Sequence, residues 1–176
     1  MAFLTIPVID GKQIQSALGF DPGRENTGWA HYCRGLGLTH SGVLDGLDCV
    51  DFIPWIRKQA LELFKSFKPD CVAIERFHSQ PRRASKRNFE LINLTIGTMI
   101  GICYEFKVPF KLITAATHKR WIARQFVVGQ RAARGRGRIK RRFDIRTYEE
   151  WKILETEHEA DAANLAKYAL EKAFNH

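Results

Sequence analysis

The chain has little of what marks secreted or membrane-spanning proteins. It holds four cysteines, Cys33, Cys49, Cys71 and Cys103, far apart and with no C-x-x-C pair. That spacing argues against a disulfide framework, and Cys71 and Cys103 sit inside apolar runs, as reduced core thiols of a cytoplasmic protein do. The longest apolar stretch, residues 91–106, is interrupted by Asn93, Thr95, Thr98 and two glycines. It is shorter than the ~20 residues a bilayer span needs, so no membrane segment is expected. Residues 1–15 contain Asp10 and Lys12 and lack the charged start and apolar core of a secretory signal; they are expected to form a short extension. Acidic residues are also scarce, 19 against 28 Lys and Arg, which leaves a net charge of +9. Such an excess favours a polyanionic partner, nucleic acid first, through phosphate neutralisation and counterion release.

What is present suits one globular domain over residues 1–176, since 45% hydrophobic content in a chain of 176 residues supplies one core. Residues 16–21 form a short apolar segment ended by Asp-Pro-Gly, residues 27–33 resume as a second strand, and residues 37–44 suit a third. Phe52, Trp55, Ile56, Ala60, Leu63, Phe64 and Phe67 then recur at helical spacing until Pro69. Residues 71–74 are apolar throughout, as in a strand buried on both faces, with Glu75 at its end. A helix over 88–106, a strand over 110–115 and a helix over 117–127 follow. Helices from about 147 and 159 close the chain, the last rich in alanine. Strands first and then alternating elements indicate a mixed five-stranded sheet with helices on its faces, an α/β fold. Between them, residues 129–142 alternate glycine with basic residues and carry almost no apolar side chain, the composition of a flexible basic loop.

Three acidic residues interrupt apolar structure: Asp21 after Leu18-Gly19-Phe20, Glu75 after Val72-Ala73-Ile74, and Asp161 within the alanine-rich helix. Singly each has an ordinary explanation: a turn at Asp-Pro, a strand-end ion pair of Glu75 with Arg76 or Arg82, and a favourable helix-dipole position. Together, carboxylates from a first strand, a middle strand and a terminal helix suit two Mg²⁺ ions, which prefer hard oxygen ligands. His158, three residues before Asp161, shares its helix face, while Glu159 points about a quarter turn away.

The stretch from Gly19-Phe20-Asp21-Pro22-Gly23 to Thr27-Gly28-Trp29 resembles the first-strand signature of RuvC-like Holliday junction resolvases. Ala73-Ile74-Glu75 is similar to their strand-four motif, and His158-Glu159-Ala160-Asp161-Ala162 to their terminal-helix motif. The resemblance implies an RNase H-like fold and a Mg²⁺-dependent endonuclease, Mn²⁺ substituting. It further implies a homodimer that resolves four-way or branched DNA, with Asp21, Glu75, His158 and Asp161 as the catalytic, metal-binding set. An alternative register matches Asp161 and Asn164 to the final pair. A departure from the pattern is the basic loop after Glu75, which suggests a divergent, phage-type member acting in the host cytoplasm. Competing functions are an RNase H-like nuclease on RNA/DNA hybrids and a non-catalytic junction-binding protein.

Basic residues bracket the acidic positions. Arg82, Arg83, Lys86 and Arg87 precede the second helix, His118, Lys119, Arg120 and Arg124 follow the fifth strand, and the loop carries Arg134, Arg136, Arg138 and Lys140. They are expected to contact phosphates. Phe77 and His78 are candidates for stacking on an unpaired base, with core packing the alternative for Phe77. Gly97 and Gly101, one turn apart, permit close helix approach within the subunit or across a two-fold axis.

Overall fold

The computed structural model describes residues 8–9, 12–23, 26–46, 51–77, 86–126 and 154–174. Its centre is a five-stranded sheet of β1 (Ser16–Pro22), β2 (Asn26–Cys33), β3 (Gly37–Asp45), β4 (Cys71–Arg76) and β5 (Phe110–Thr114). Their spatial order is β3-β2-β1-β4-β5. The first three strands form an antiparallel meander, while β4 lies parallel to β1 and β5 parallel to β4. The mixed sheet expected from the order of elements is therefore present. Where a plain N-terminal extension was expected, Val8–Ile9 pairs with Lys12–Gln13 in a two-residue antiparallel ladder. Asp70 ties the entry to β1, accepting from the backbone N–H groups of Gln15 and Ser16 at 2.9 and 3.0 Å.

The helices are α1 (Phe52–Phe67), α2 (Lys86–Glu105), α3 (Ala115–Phe126) and α4 (Glu157–Tyr168), the last running into a π-helical turn, Ala169–Ala173. Helix α1 matches its expected span, buries Ile56, Ala60 and Phe64 on one stripe, and ends on Lys68 in the left-handed region just ahead of Pro69. The helix expected from 159 starts at Glu157, because Thr156 caps it. Thr156 Oγ1 accepts from Glu159 N–H at 3.1 Å, and the Glu159 carboxylate accepts from Thr156 N–H at 3.1 Å. The helix expected from about 147 and the basic loop 129–142 lie outside the described residues.

Strand alternation splits the core in two. Leu18 and Phe20 of β1 and Val72 and Ile74 of β4 face α1 and α2, where they join Ile56, Phe64, Met99 and Ile102. Ala17 of β1 and Cys71 and Ala73 of β4 face the other way, into a cluster with Ala162, Ala163, Leu165 and Ala166 of α4. Asp21 and Glu75 continue this second, small-residue series. Two glycines on the same face bring α4 onto the sheet. A Cβ on Gly19 would lie 2.0 Å from the Ala162 carbonyl oxygen, and one on Gly28 would lie 2.2 Å from that of His158.

Candidate active site

Asp21 and Glu75 meet because β1 and β4 are parallel and in register. Gly19 pairs with Ala73 and Phe20 with Ile74, so the next position of each strand carries a carboxylate on the α4 face. Asp21 is also opposite Gly28 in the β1–β2 ladder. Because α4 rests on Gly28 through the backbone of His158, the same contact that seats the helix sets His158 beside Asp21. Asp161 follows on the same side of α4. The result is a cleft of about 340 Å³ lined by Asp21, Glu75, Phe77, Ile92, His158 and Asp161, among others. A larger cavity of about 700 Å³, at the end of the sheet where Asp70 precedes β4, has a largely apolar floor and a rim of lysines. Its one carboxylate, Asp70, is already engaged with β1, so the smaller cleft is the chemical one.

Each carboxylate of the cleft faces its own donor. His158 Nδ1–H donates to Asp21 Oδ2 at 2.5 Å. His118 Nε2–H donates to Glu75 Oε2 at 2.9 Å. Lys119 Nζ donates to Asp161 Oδ2 at 2.6 Å. Three carboxylates converging in a partly desolvated cleft repel one another, and donors of positive charge or protons offset that cost. The effect shows in proton affinity. Burial pushes the Asp161 carboxyl up to about 6, with Lys119 pulling against it. The hydrogen bond to Asp21 raises the His158 imidazole above its ordinary value, although burial opposes this. For Lys119, burial works to lower the ammonium, but Asp161, Glu75 and Glu157 outweigh it and raise the group.

All four expected site residues thus stand in one cleft. Among the described residues no three His, Cys, Asp or Glu side chains are gathered into a ready-made metal cluster, each carboxylate being turned to its own partner. The donor set nevertheless fits a hard divalent cation. Asp161 Oδ1 is buried with no hydrogen-bond partner among the described residues, an orphan that a bound ion would satisfy. Glu159 accepts from Thr156 N–H and from Ser41 Oγ, which occupies it as a cap. Asn164 is fully buried and its amide is turned to His118, away from the cleft that His158 lines.

The other expected contacts divide. Phe77 lines the cleft, half-buried, with its ring tilted against Phe89 at 5.9 Å. Lys119, expected on phosphate, is bonded to Asp161, and Arg120 beside it is exposed. His78, Arg82, Arg83, Arg134, Arg136, Arg138 and Lys140, and the side chains of Lys86 and Arg87, lie outside the described residues. Glu75 pairs with His118, where sequence reasoning weighed Arg76 or Arg82. That contact was hidden because it depends on the β4–β5 register, which sets Glu75 against Ile113 and so brings the first turn of α3 alongside it. The one sequence signal was the position of His118 just beyond β5.

No protein-family model matches the chain, and no curated protein matches it by sequence. Solved structures do match. RuvC of Thermus thermophilus, solved in complex with a Holliday junction substrate, superposes with a TM-score of 0.61 at 18% identity, over 86% of this chain and 90% of that one. A second structure of Thermus thermophilus RuvC gives 0.59 at 20% identity, over the same shares of the two chains. The yeast mitochondrial Holliday junction resolvase Ydc2 gives 0.60 at 11% identity, over 88% of this chain and 78% of that one. The chain therefore has a RuvC-like fold, the RNase H-like α/β architecture that its motifs suggested.

Proposed function

We propose that this protein is a metal-dependent endonuclease of the RuvC-like resolvase family that cuts Holliday junctions and related branched DNA. The observation that carries the reading is the convergence of Asp21, Glu75, Asp161 and His158 from β1, β4 and α4 in one cleft of a RuvC-like fold. The net charge of +9 supports a polyanionic substrate. Asp21, Glu75 and Asp161, with His158, would hold two Mg²⁺ ions, Mn²⁺ substituting. Bound there, the ions supply Lewis-acid activation of a water and stabilisation of the departing 3′ oxygen, leaving a 5′ phosphate.

The chain's own groups contribute charge, proton transfer and position. Lys119 holds Asp161 in its ionised form against burial, and the proton on His158 Nδ1 offsets the charge of Asp21. His158, with 45% of its side chain exposed at the cleft mouth, is placed either to ligate or to take a proton from the attacking water. Phe77 borders the same cleft and is a candidate platform for an unpaired base, and Arg120 for phosphate. The remaining basic residues, Arg82, Arg83, Lys86, Arg87, Arg134, Arg136, Arg138 and Lys140, would position the arms. Cutting two symmetric strands of a junction calls for two sites, hence a homodimer.

The test is cleavage of a synthetic four-way DNA junction with and without Mg²⁺. Mg²⁺-dependent paired nicks are expected, Asp21→Asn and Glu75→Gln should abolish them, and both variants should still bind the junction. Cleavage of an RNA/DNA hybrid with the junction left intact would move the substrate to the hybrid. Junction binding by the wild type without any cleavage would make the protein a non-catalytic binder.

A further inference from the structure

Behind Glu75 lies a buried polar pair that the nuclease chemistry does not itself call for. His118, in the first turn of α3, and Asn164, in the middle of α4, are both fully buried. Two such side chains are costly in a core unless they are bonded. They are bonded in series, with only Asn164 Oδ1 left without a partner among the described residues. Asn164 Nδ2 lies 2.6 Å from His118 Nδ1, and His118 Nε2 lies 2.9 Å from Glu75 Oε2.

The order of donors follows from the end of the chain. A carboxylate only accepts, so the imidazole proton sits on Nε2 and points at Glu75. In a neutral imidazole Nδ1 is then the acceptor, and the Asn164 amide N–H, with Nδ2 at 2.6 Å, is the group that meets it. Reversing the amide would set its oxygen against a bare ring nitrogen. The carboxylate thus sets the tautomer, and the asparagine holds the tilt of the ring. Glu75 is held in this way through its Oε2 oxygen.

We infer that His118, oriented by Asn164, is the positioning residue that fixes Glu75 for metal binding, and that α3 and α4 together set the ligand geometry of β4. The inference rests on the nuclease reading above. Its physical basis is that a carboxylate restrained by a directional hydrogen bond loses less rotamer freedom when it takes an ion, and outer partners of this kind are typically worth about 10–100-fold in metal affinity. Neither residue lines the cleft.

The experiment is Mn²⁺ titration calorimetry on the metal-free full chain without DNA, with a melting curve for every variant. His118→Ala should weaken Mn²⁺ binding about tenfold or more. His118→Gln, whose amide N–H still reaches as a donor, should recover most of that loss. In a Glu75→Gln background, His118→Ala should produce no further loss, because the group it positions is gone. If His118→Ala does not fold, Asn164→Leu, which removes the tether and keeps the volume, carries the same comparison in both backgrounds. Unchanged Mn²⁺ affinity in a folded variant overturns the inference, as does an equal loss in the Glu75→Gln background. A wild-type chain that takes up no Mn²⁺ overturns the nuclease reading and the inference together, and so is told apart from a failure of the inference alone.

Discussion

The two faces of the central sheet are built on opposite terms. Toward α1 and α2 the strands present Leu18, Phe20, Val72 and Ile74, and the helices answer with Ile56, Phe64, Met99 and Ile102. Toward α4 the same strands present Ala17, Gly19, Cys71 and Ala73, and α4 answers with alanines, so that backbones nearly touch. Large side chains bury more apolar area, at about 25 cal/mol per Å², so the first face is the greater source of stability. The second gives up area for proximity. Only there is a helix close enough to the sheet for His158 and Asp161 to reach the cleft that Asp21 and Glu75 line. One face holds the fold together, and the other places the chemistry.

The largest effect on stability should therefore come from the large-residue face. Phe64 is fully buried and lies parallel to Phe20 with ring centroids 6.3 Å apart. Phe64→Ala should cost about 3–5 kcal/mol in chemical denaturation, while junction cleavage per folded molecule, measured well below the melting temperature, stays near wild type. Loss of cleavage in the folded variant would mean that the two faces are mechanically coupled.

Asp161→Asn should act in the opposite direction on stability. The folded chain holds the Asp161 proton up to about 6, above the ordinary aspartate value of 3.8, so it binds that proton more tightly than the unfolded chain does. The associated stability is fully present below the unfolded value and is lost as pH rises through about 6. At pH 4 and below, wild type and Asn variant should melt alike. At pH 7.5 the metal-free variant should be more stable, by up to roughly 3 kcal/mol, and inactive on junctions. A wild type that is the more stable of the two at pH 7.5 would show that Lys119 overcompensates the burial of Asp161.

Gly28→Ala isolates the other half of the comparison. Its Cβ would stand 2.2 Å from the carbonyl oxygen and 2.4 Å from the carbonyl carbon of His158, so the start of α4 must shift. Overpacking of this kind costs about 1–3 kcal/mol, less than Phe64→Ala. Cleavage should nevertheless fall about 100-fold, since a displacement near 1 Å at reacting groups has that effect. Comparable loss of stability with unchanged cleavage would break the claim that close approach of α4 serves the site.

How much of this was legible in the sequence follows the same division. The first face was readable: the spacing of Ile56, Ala60 and Phe64 gave α1, and the apolar run at residues 71–74 gave β4. So were the acidic residues, because a carboxylate where apolar structure should continue stands out against its neighbours. Which way α4 faces was not readable. Residues 159–167 are all buried, so the helix has no wet stripe to set against a dry one, and Asp161, Asn164 and Lys167 are polar residues in a surround of alanine. Its rotation comes from packing on the sheet, closest at Gly19 and Gly28, which turns Asn164 to His118 and lets Asp161 line the cleft. His118 and Lys119 looked like two more cations of a basic run, because their neighbours Glu75 and Asp161 are set by strand register and helix packing.

The smallest effect is expected where neither face is involved. Gly97 and Gly101, one turn apart on α2, are exposed, and a Cβ on either would meet nothing within 4 Å. Among the described residues they do not serve close approach within the subunit, unlike Gly19 and Gly28, whose added Cβ atoms would collide with α4. A glycine inside a helix costs about 0.5–1 kcal/mol relative to alanine through the entropy of the unfolded chain. Gly101→Ala should therefore raise the melting temperature by about 1–4 °C and leave junction cleavage unchanged. The measurement is a melting curve at several protein concentrations, paired with sedimentation. Stabilisation at every concentration means that this surface faces water. A fall in melting temperature, deepest at high concentration and accompanied by loss of the dimer, would instead place a second copy against α2, where the missing side chains would then be serving close approach between subunits.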